Sequence, residues 1–96
     1  MAKIYFDIKK CEPHIKEQRA QHNVDEVQFC ALDNVTYKIS GLELAFPDVR
    51  HPIVVGPANC TLRYKATGPV GKHTGKITGD HCPHERLPEI IIDINA

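Results

Sequence analysis

His81-Cys82-Pro83-His84 places three potential metal ligands within four residues, directly ahead of the last strand-like segment. Cys11-Glu12-Pro13-His14 echoes it just after the first such segment. Zinc prefers thiolate and imidazole donors, and a structural site usually gathers four of them from two short clusters into a tetrahedron. Cys11, His14, Cys82 and His84 form a candidate Cys2His2 set, with His81 as a spare. Zinc is therefore the one cofactor nominated, against the alternative of none. The set closes only if the first and last strands are antiparallel neighbours; a parallel pair would leave the clusters at opposite ends. Exposed loop histidines with incidental cysteines are the competing reading.

Catalysis finds less support. Cys82, beside His81 and His84, is the sole candidate nucleophile, since a neighbouring imidazolium lowers a thiol pKa. Adjacent residues on a strand point to opposite faces, which places His81 poorly as its base. No paired carboxylates stand out, and a chain of 96 residues leaves little room for a substrate cavity beside its core. The glycines at 68, 71, 75 and 79, with Lys72, His73 and Lys76 among them, suggest a phosphate loop. They fail the pattern, because His73 follows Gly71-Lys72 and Ile77 follows Gly75-Lys76 where Ser or Thr is required. The reading leans away from an enzyme.

The formal net charge is zero, yet no Asp or Glu occurs from Val49 to Gly79, where Arg50, Arg63, Lys65, Lys72 and Lys76 all fall. Basic side chains sharing a face would steer an anionic partner. Arg63, Lys65, Lys72, His73 and Lys76 are the candidate partner-binding residues. A protein partner with acidic character is favoured. Nucleic acid comes second, because Tyr64 is the only aromatic in the basic segment and shares its parity with Cys60 and Leu62.

The elements that must position these groups are mostly strands. Ile4, Phe6 and Ile8 alternate with Tyr5, Asp7 and Lys9, the period of a half-buried strand. Val27, Phe29 and Ala31 repeat it, and Val35, Tyr37 and Ile39 follow Asp33-Asn34, so residues 26–40 read as a hairpin. Pro52-Ile53-Val54-Val55, the stretch 60–65 and Lys76-Ile77-Thr78 are shorter candidates, with a loop running from Ala66 to Pro83. Glu89 to Ile94 is apolar on both faces apart from Asp93, the mark of a central strand. The two terminal strands are expected in one sheet. A single short helix is expected near residues 13–22, where Pro13 precedes Lys16, Glu17, Gln18, Arg19 and Ala20. Cys60 is expected inward with Leu62 and Tyr64. Cys30 has the parity opposite Val27, Phe29 and Ala31, which argues against a Cys30–Cys60 bond across the core.

The expected fold is mainly β: one β-rich domain over 1–96, a small antiparallel β-sandwich or β-barrel of about six to eight short strands. No apolar run approaches the roughly 18 residues of a membrane span, and the N-terminus lacks the apolar core of a signal peptide. A soluble cytoplasmic protein follows as the expectation, with disulfides disfavoured by the reducing environment. In a secreted chain Asn34-Val35-Thr36 and Asn59-Cys60-Thr61 would become glycosylation triplets. The functional expectation is a non-catalytic binding or assembly module acting on a protein partner through its surface, able to form homo-oligomers. A zinc-stabilised domain and a nucleic-acid binder are the alternatives.

Overall fold

Alternation of buried and exposed side chains, not helical periodicity, runs through the chain. The computed structural model describes residues 2–83 and 85–96. Among them are nine strands and no helix: β1 (Lys3–Lys9), β2 (Glu12–Pro13), β3 (Glu17–Gln21), β4 (Glu26–Ala31), β5 (Tyr37–Ser40), β6 (Ile53–Val55), β7 (Tyr64–Lys65), β8 (Gly71–Gly79) and β9 (Glu89–Asn95). They form two sheets packed as a sandwich. The first has the order β2-β1-β4-β7 and the second β3-β9-β8-β5-β6.

The core lies where the inward parities meet. Phe6 and Ile8 of β1 run parallel to Phe29 and Ala31 of β4, in register, and all four are buried. Ile90, Ile92 and Ile94 supply the opposing layer from β9, which lies between β3 and β8 as its apolar sequence predicts. Phe6 stacks on Phe29 at 5.6 Å between ring centroids, and Phe46 meets Phe29 edge-on at 6.1 Å. Tyr64 closes this cluster from β7, partly buried against the core and not an exposed stacking platform. Such offset and edge-on pairs suit the ring quadrupoles, beyond the apolar area they remove from water.

Five expectations are corrected. The segment expected to be helical is instead β2 and β3, and it carries the chain from one sheet to the other. Ala20 is buried while Glu17, Arg19 and Gln21 are exposed, and β3 runs parallel to β9 from Glu17↔Ile91 to Gln21↔Asn95. Its thin apolar face could not hold a helix, but one inward alanine suffices for an edge strand. Residues 26–40 do not form a hairpin either: β4 and β5 lie in different sheets, so the link through Asp33 and Asn34 crosses the sandwich. The terminal strands β1 and β9 are likewise in opposite sheets, and the β1–β4 and β3–β9 pairs make the sandwich mixed instead of purely antiparallel.

The glycine-bearing stretch, finally, is no loop. Nine of its residues form β8, hydrogen-bonded on both sides by β5 and β9. Gly75 faces the core there, where a Cβ would fall 2.8 Å from Leu42 Cγ and 3.0 Å from Ile39 Cγ2. The glycine makes room for its neighbours' side chains.

Candidate functional site

The chain's cysteines form two disulfides, and the structure places them in contrasting settings. Cys11–Cys82 joins the turn after β1 to the link between β8 and β9, with the Cα atoms 5.6 Å apart. Both residues are nearly buried, at 8% and 5% exposure. The turn that presents Cys11 is tight: Lys10 and Cys11 both have positive φ, at 51° and 69°. It is pinned from across the sandwich. The Lys10 N–H donates to Asp33 Oδ2 at 2.9 Å, and the Cys11 N–H donates to the Tyr37 hydroxyl at 3.3 Å. Tyr37, wholly buried, donates that hydroxyl to the Asp33 carboxylate at 2.8 and 2.9 Å.

On the other side the Cys82 N–H donates to the Gly79 carbonyl at 3.0 Å. A Cβ at Gly79 would lie 3.0 Å from Cys82 Sγ and 3.2 Å from Tyr37 Cδ1, so sulfur and ring flank that glycine. The electrostatics follow from these contacts. The Lys10 N–H holds the Asp33 carboxyl below its ordinary value, helped by the Tyr37 hydroxyl. Burial, and then the bond to Asp33, push the Tyr37 phenol above its own.

Cys30–Cys60 lies on the outer face of the first sheet. Cys30 keeps the outward parity its sequence predicts, opposite Val27, Phe29 and Ala31. The correction concerns Cys60, which is exposed instead of inward, because the chain around it is not a regular strand. The bond therefore forms outside the core, and no crossing is needed. Cys60 bridges Cys30 in antiparallel fashion. The Ala31 N–H donates to Asn59 O and the Thr61 N–H to Phe29 O, each at 2.8 Å. These two bonds flank the cysteines and make them a non-hydrogen-bonded cross-strand pair, the closely approaching kind, here with Cα atoms 4.0 Å apart. Gln28 Nε2 adds a bond to Thr61 O at 2.7 Å, and Thr61 Oγ1 accepts from the Phe29 N–H at 3.2 Å.

Of the expected zinc ligands, Cys11 and Cys82 do come together, although β1 and β9 are not paired at all. They meet as a disulfide, which removes both thiolates and overturns the zinc expectation. His14 and His81 are exposed at this end, and His84 lies outside the described residues. Among the described residues no three His, Cys, Asp or Glu side chains converge on a common point. Cys82 is equally unavailable as a nucleophile while bonded.

The candidate partner-binding residues divide between the sheets. Lys65 lies on β7 of the first, with Arg63 just ahead of that strand, and Lys72, His73 and Lys76 lie on β8 of the second. Lys72 is paired with Glu17 at 3.2 Å, and His73 Nε2 lies 2.8 Å from the Pro69 carbonyl. Sequence reasoning missed Asp33 and Tyr37, whose roles depend on a cross-sheet approach. It also set aside the one signal for the disulfides, an even cysteine count in a short chain.

No family model matches this chain, and no curated protein matches it. Solved structures do share its fold. Amicyanin from Paracoccus versutus superposes with a TM-score of 0.66 at 10% identity, over 96% of this chain and 80% of that one. A reduced amicyanin variant gives 0.68 at 11%, and an oxidised variant 0.69 at 12%, each over 96% and 81%. A Cu(I) form of another variant matches at 0.63 and 11%. The fold is thus cupredoxin-like. A protein partner is compatible with it.

This likeness also corrects the functional expectation. The proteins of shared fold are described in oxidised, reduced and Cu(I) forms, and this overturns the expectation of a surface-acting assembly module, with its zinc-stabilised and nucleic-acid-binding alternatives, and of a cofactor of none or zinc. Copper electron-transfer sites of the two-histidine, one-thiolate kind need a free cysteine sulfur. All four sulfurs of this chain are bonded to one another, so its donor set in the disulfide form does not fit such a copper.

Proposed function

We propose that this chain is a small redox protein that exchanges electrons with a protein partner. The carrying observation is a fold shared along 96% of the chain with amicyanin in oxidised and reduced forms. With no free thiolate for copper in this form, the redox groups that the chain itself offers are its disulfides. Each is a two-electron couple: two electrons and two protons convert one S–S bond into two thiols. The two disulfides also support an oxidising folding environment instead of the cytoplasm expected from the sequence.

Equilibrium titration of the purified protein against dithiol–disulfide buffers, with and without added copper, tests the reading. A reversible couple that leaves the circular dichroism spectrum intact supports it. Disulfides that are reduced only as the protein unfolds, together with no reversible couple after copper addition, overturn it.

A further inference from the structure

The proposed redox role leaves open which disulfide exchanges electrons, and their surroundings differ enough to decide. We infer that Cys30–Cys60 is the exchange-active pair, reached through Cys60, and that Cys11–Cys82 is a structural staple. This assignment rests on the redox reading above and goes beyond it by naming the site.

Access is the first argument. Thiol–disulfide exchange requires a thiolate to reach one sulfur and displace the other, so its rate depends on exposure. Cys60 is exposed on the outer face of the first sheet, with Ala58, Asn59 and Leu62 also exposed around it. Cys11 and Cys82 are 8% and 5% exposed, and Cys82 Sγ shares the space beside Gly79 with the Tyr37 ring. An incoming thiolate reaches the first pair from solvent. It reaches the second only after the turn at Lys10 and Cys11 opens.

The second argument is what happens after the bond breaks. Opening Cys30–Cys60 leaves in place the backbone bonds from Ala31 to Asn59 and from Thr61 to Phe29 on either side. The two thiols remain cross-strand neighbours, so they re-form the disulfide at high effective concentration. Opening Cys11–Cys82 instead frees a connection between residues 71 apart in sequence and loosens the end of the sandwich. The first pair can cycle within the folded protein.

The third argument is the division of roles. A partner thiolate attacks Cys60 Sγ, forming a mixed disulfide while the S–S bond breaks, and Cys30 leaves with the electron pair and takes up a proton. The partner's second thiol then attacks its own sulfur in the mixed disulfide and releases Cys60 as a thiol. The partner dithiol is oxidised to a disulfide, and Cys30 and Cys60 are reduced by the same two electrons. The partner is therefore a dithiol protein. In the reverse direction the exposed Cys60 is the nucleophile, and the nearly buried Cys30, at 5% exposure, is the resolving cysteine.

The test is timed alkylation of the whole folded protein under limiting dithiothreitol, with each cysteine followed by peptide mass spectrometry. Cys30 and Cys60 should be labelled about tenfold faster than Cys11 and Cys82, or more, with circular dichroism unchanged. Faster labelling of Cys11 and Cys82, or labelling of all four together, would overturn the assignment. A Cys30→Ser/Cys60→Ser variant supplies the second reading and should lose the reversible couple while Cys11–Cys82 stays closed. A couple that persists in that variant sinks the assignment alone. Absence of any couple in the unmodified chain sinks the redox reading with it.

Discussion

Cys11–Cys82 and Cys30–Cys60 are the same covalent bond placed in two environments. The first is sheltered at one end of the sandwich, where a strained turn, the Tyr37 hydroxyl and the Asp33 carboxylate hold it. The second lies on an open sheet face, flanked by two backbone hydrogen bonds that do not depend on it. What a disulfide does depends on what still holds its cysteines together once the bond is gone. Where the two cysteines share no backbone pairing of their own, the bond is architecture. Where the ladder holds them, the bond is free to be spent and restored.

Four perturbations break or sharpen that contrast. The largest effect is expected from deleting each bond in turn. On the chain-entropy account, sequence separations of 71 and 30 correspond to about 4.4 and about 3.6 kcal/mol at 25 °C. Cys11→Ser/Cys82→Ser should therefore lower the urea midpoint more than Cys30→Ser/Cys60→Ser, and its two newly buried hydroxyls should widen the gap. An equal or reversed order would remove the staple's distinction.

Tyr37→Phe comes next. It takes away the hydroxyl that accepts from the buried Cys11 N–H, and leaving a buried donor unsatisfied costs about 1–3 kcal/mol. Denaturation should show that loss, and Cys11 should become easier to alkylate under dithiothreitol, with Cys30 and Cys60 unchanged. Faster labelling of all four would mean that Tyr37 supports the sandwich at large and not its end.

Gly79→Ala is smaller. Its Cβ would press on Cys82 Sγ and Tyr37 Cδ1, and overpacking of this kind typically costs about 1–3 kcal/mol. Gly71→Ala is the counterpart: nothing lies within 4 Å of its Cβ, so the whole penalty comes from its positive φ of 136°. Thermal melts of the two variants separate crowding at the staple from backbone strain elsewhere.

The smallest effect is the pH dependence of the non-reduced protein. Asp33 is held below its ordinary 3.8, so its contribution is full above that value and is lost as pH falls below it. Tyr37 is raised above its ordinary 10.0, so its contribution is full below that value and is lost as pH climbs past it. Denaturant midpoints across pH should decline at both extremes, and Tyr37→Phe should abolish the alkaline decline. An alkaline limb that survives this substitution belongs to another group.

Much of the fold was legible because its strands bury one face. Phe6 and Ile8, and Val27 and Phe29, declare their inward parity along the chain, and the apolar run at 90–94 marks β9 as central. Parity also placed Cys30 correctly. It failed for Cys60, which sits in a segment with a single bridge and no regular alternation. Residues 16–20 are good helix formers, yet the row of hydrogen bonds offered by β9 overrides that preference, as tertiary context commonly does. Asp33-Asn34 reads as a hairpin turn because local sequence cannot show that its carboxylate is claimed by the Lys10 N–H, 23 residues away, as well as by the nearby Tyr37 hydroxyl. The cysteine pairing was hidden for the same reason. Cys11 and Cys82 converge through the stacking of two sheets, a distance that no strand pattern encodes.

The staple has a mechanical consequence as well. Cys11–Cys82 closes a loop over residues 11–82, with β1 before it and β9 after it. Under a pull from outside that loop, its two ends in the oxidised molecule stay 5.6 Å apart between Cα atoms, whereas the same stretch in the reduced chain can extend to about 240 Å. A load on the termini cannot draw out Phe29, Tyr37 or the cross-strand pair at Cys30 and Cys60 while the staple holds. The bond acts as a strain limiter: such a pull can peel β1 from β4 and β9 from β3 and β8, and the extension stops there.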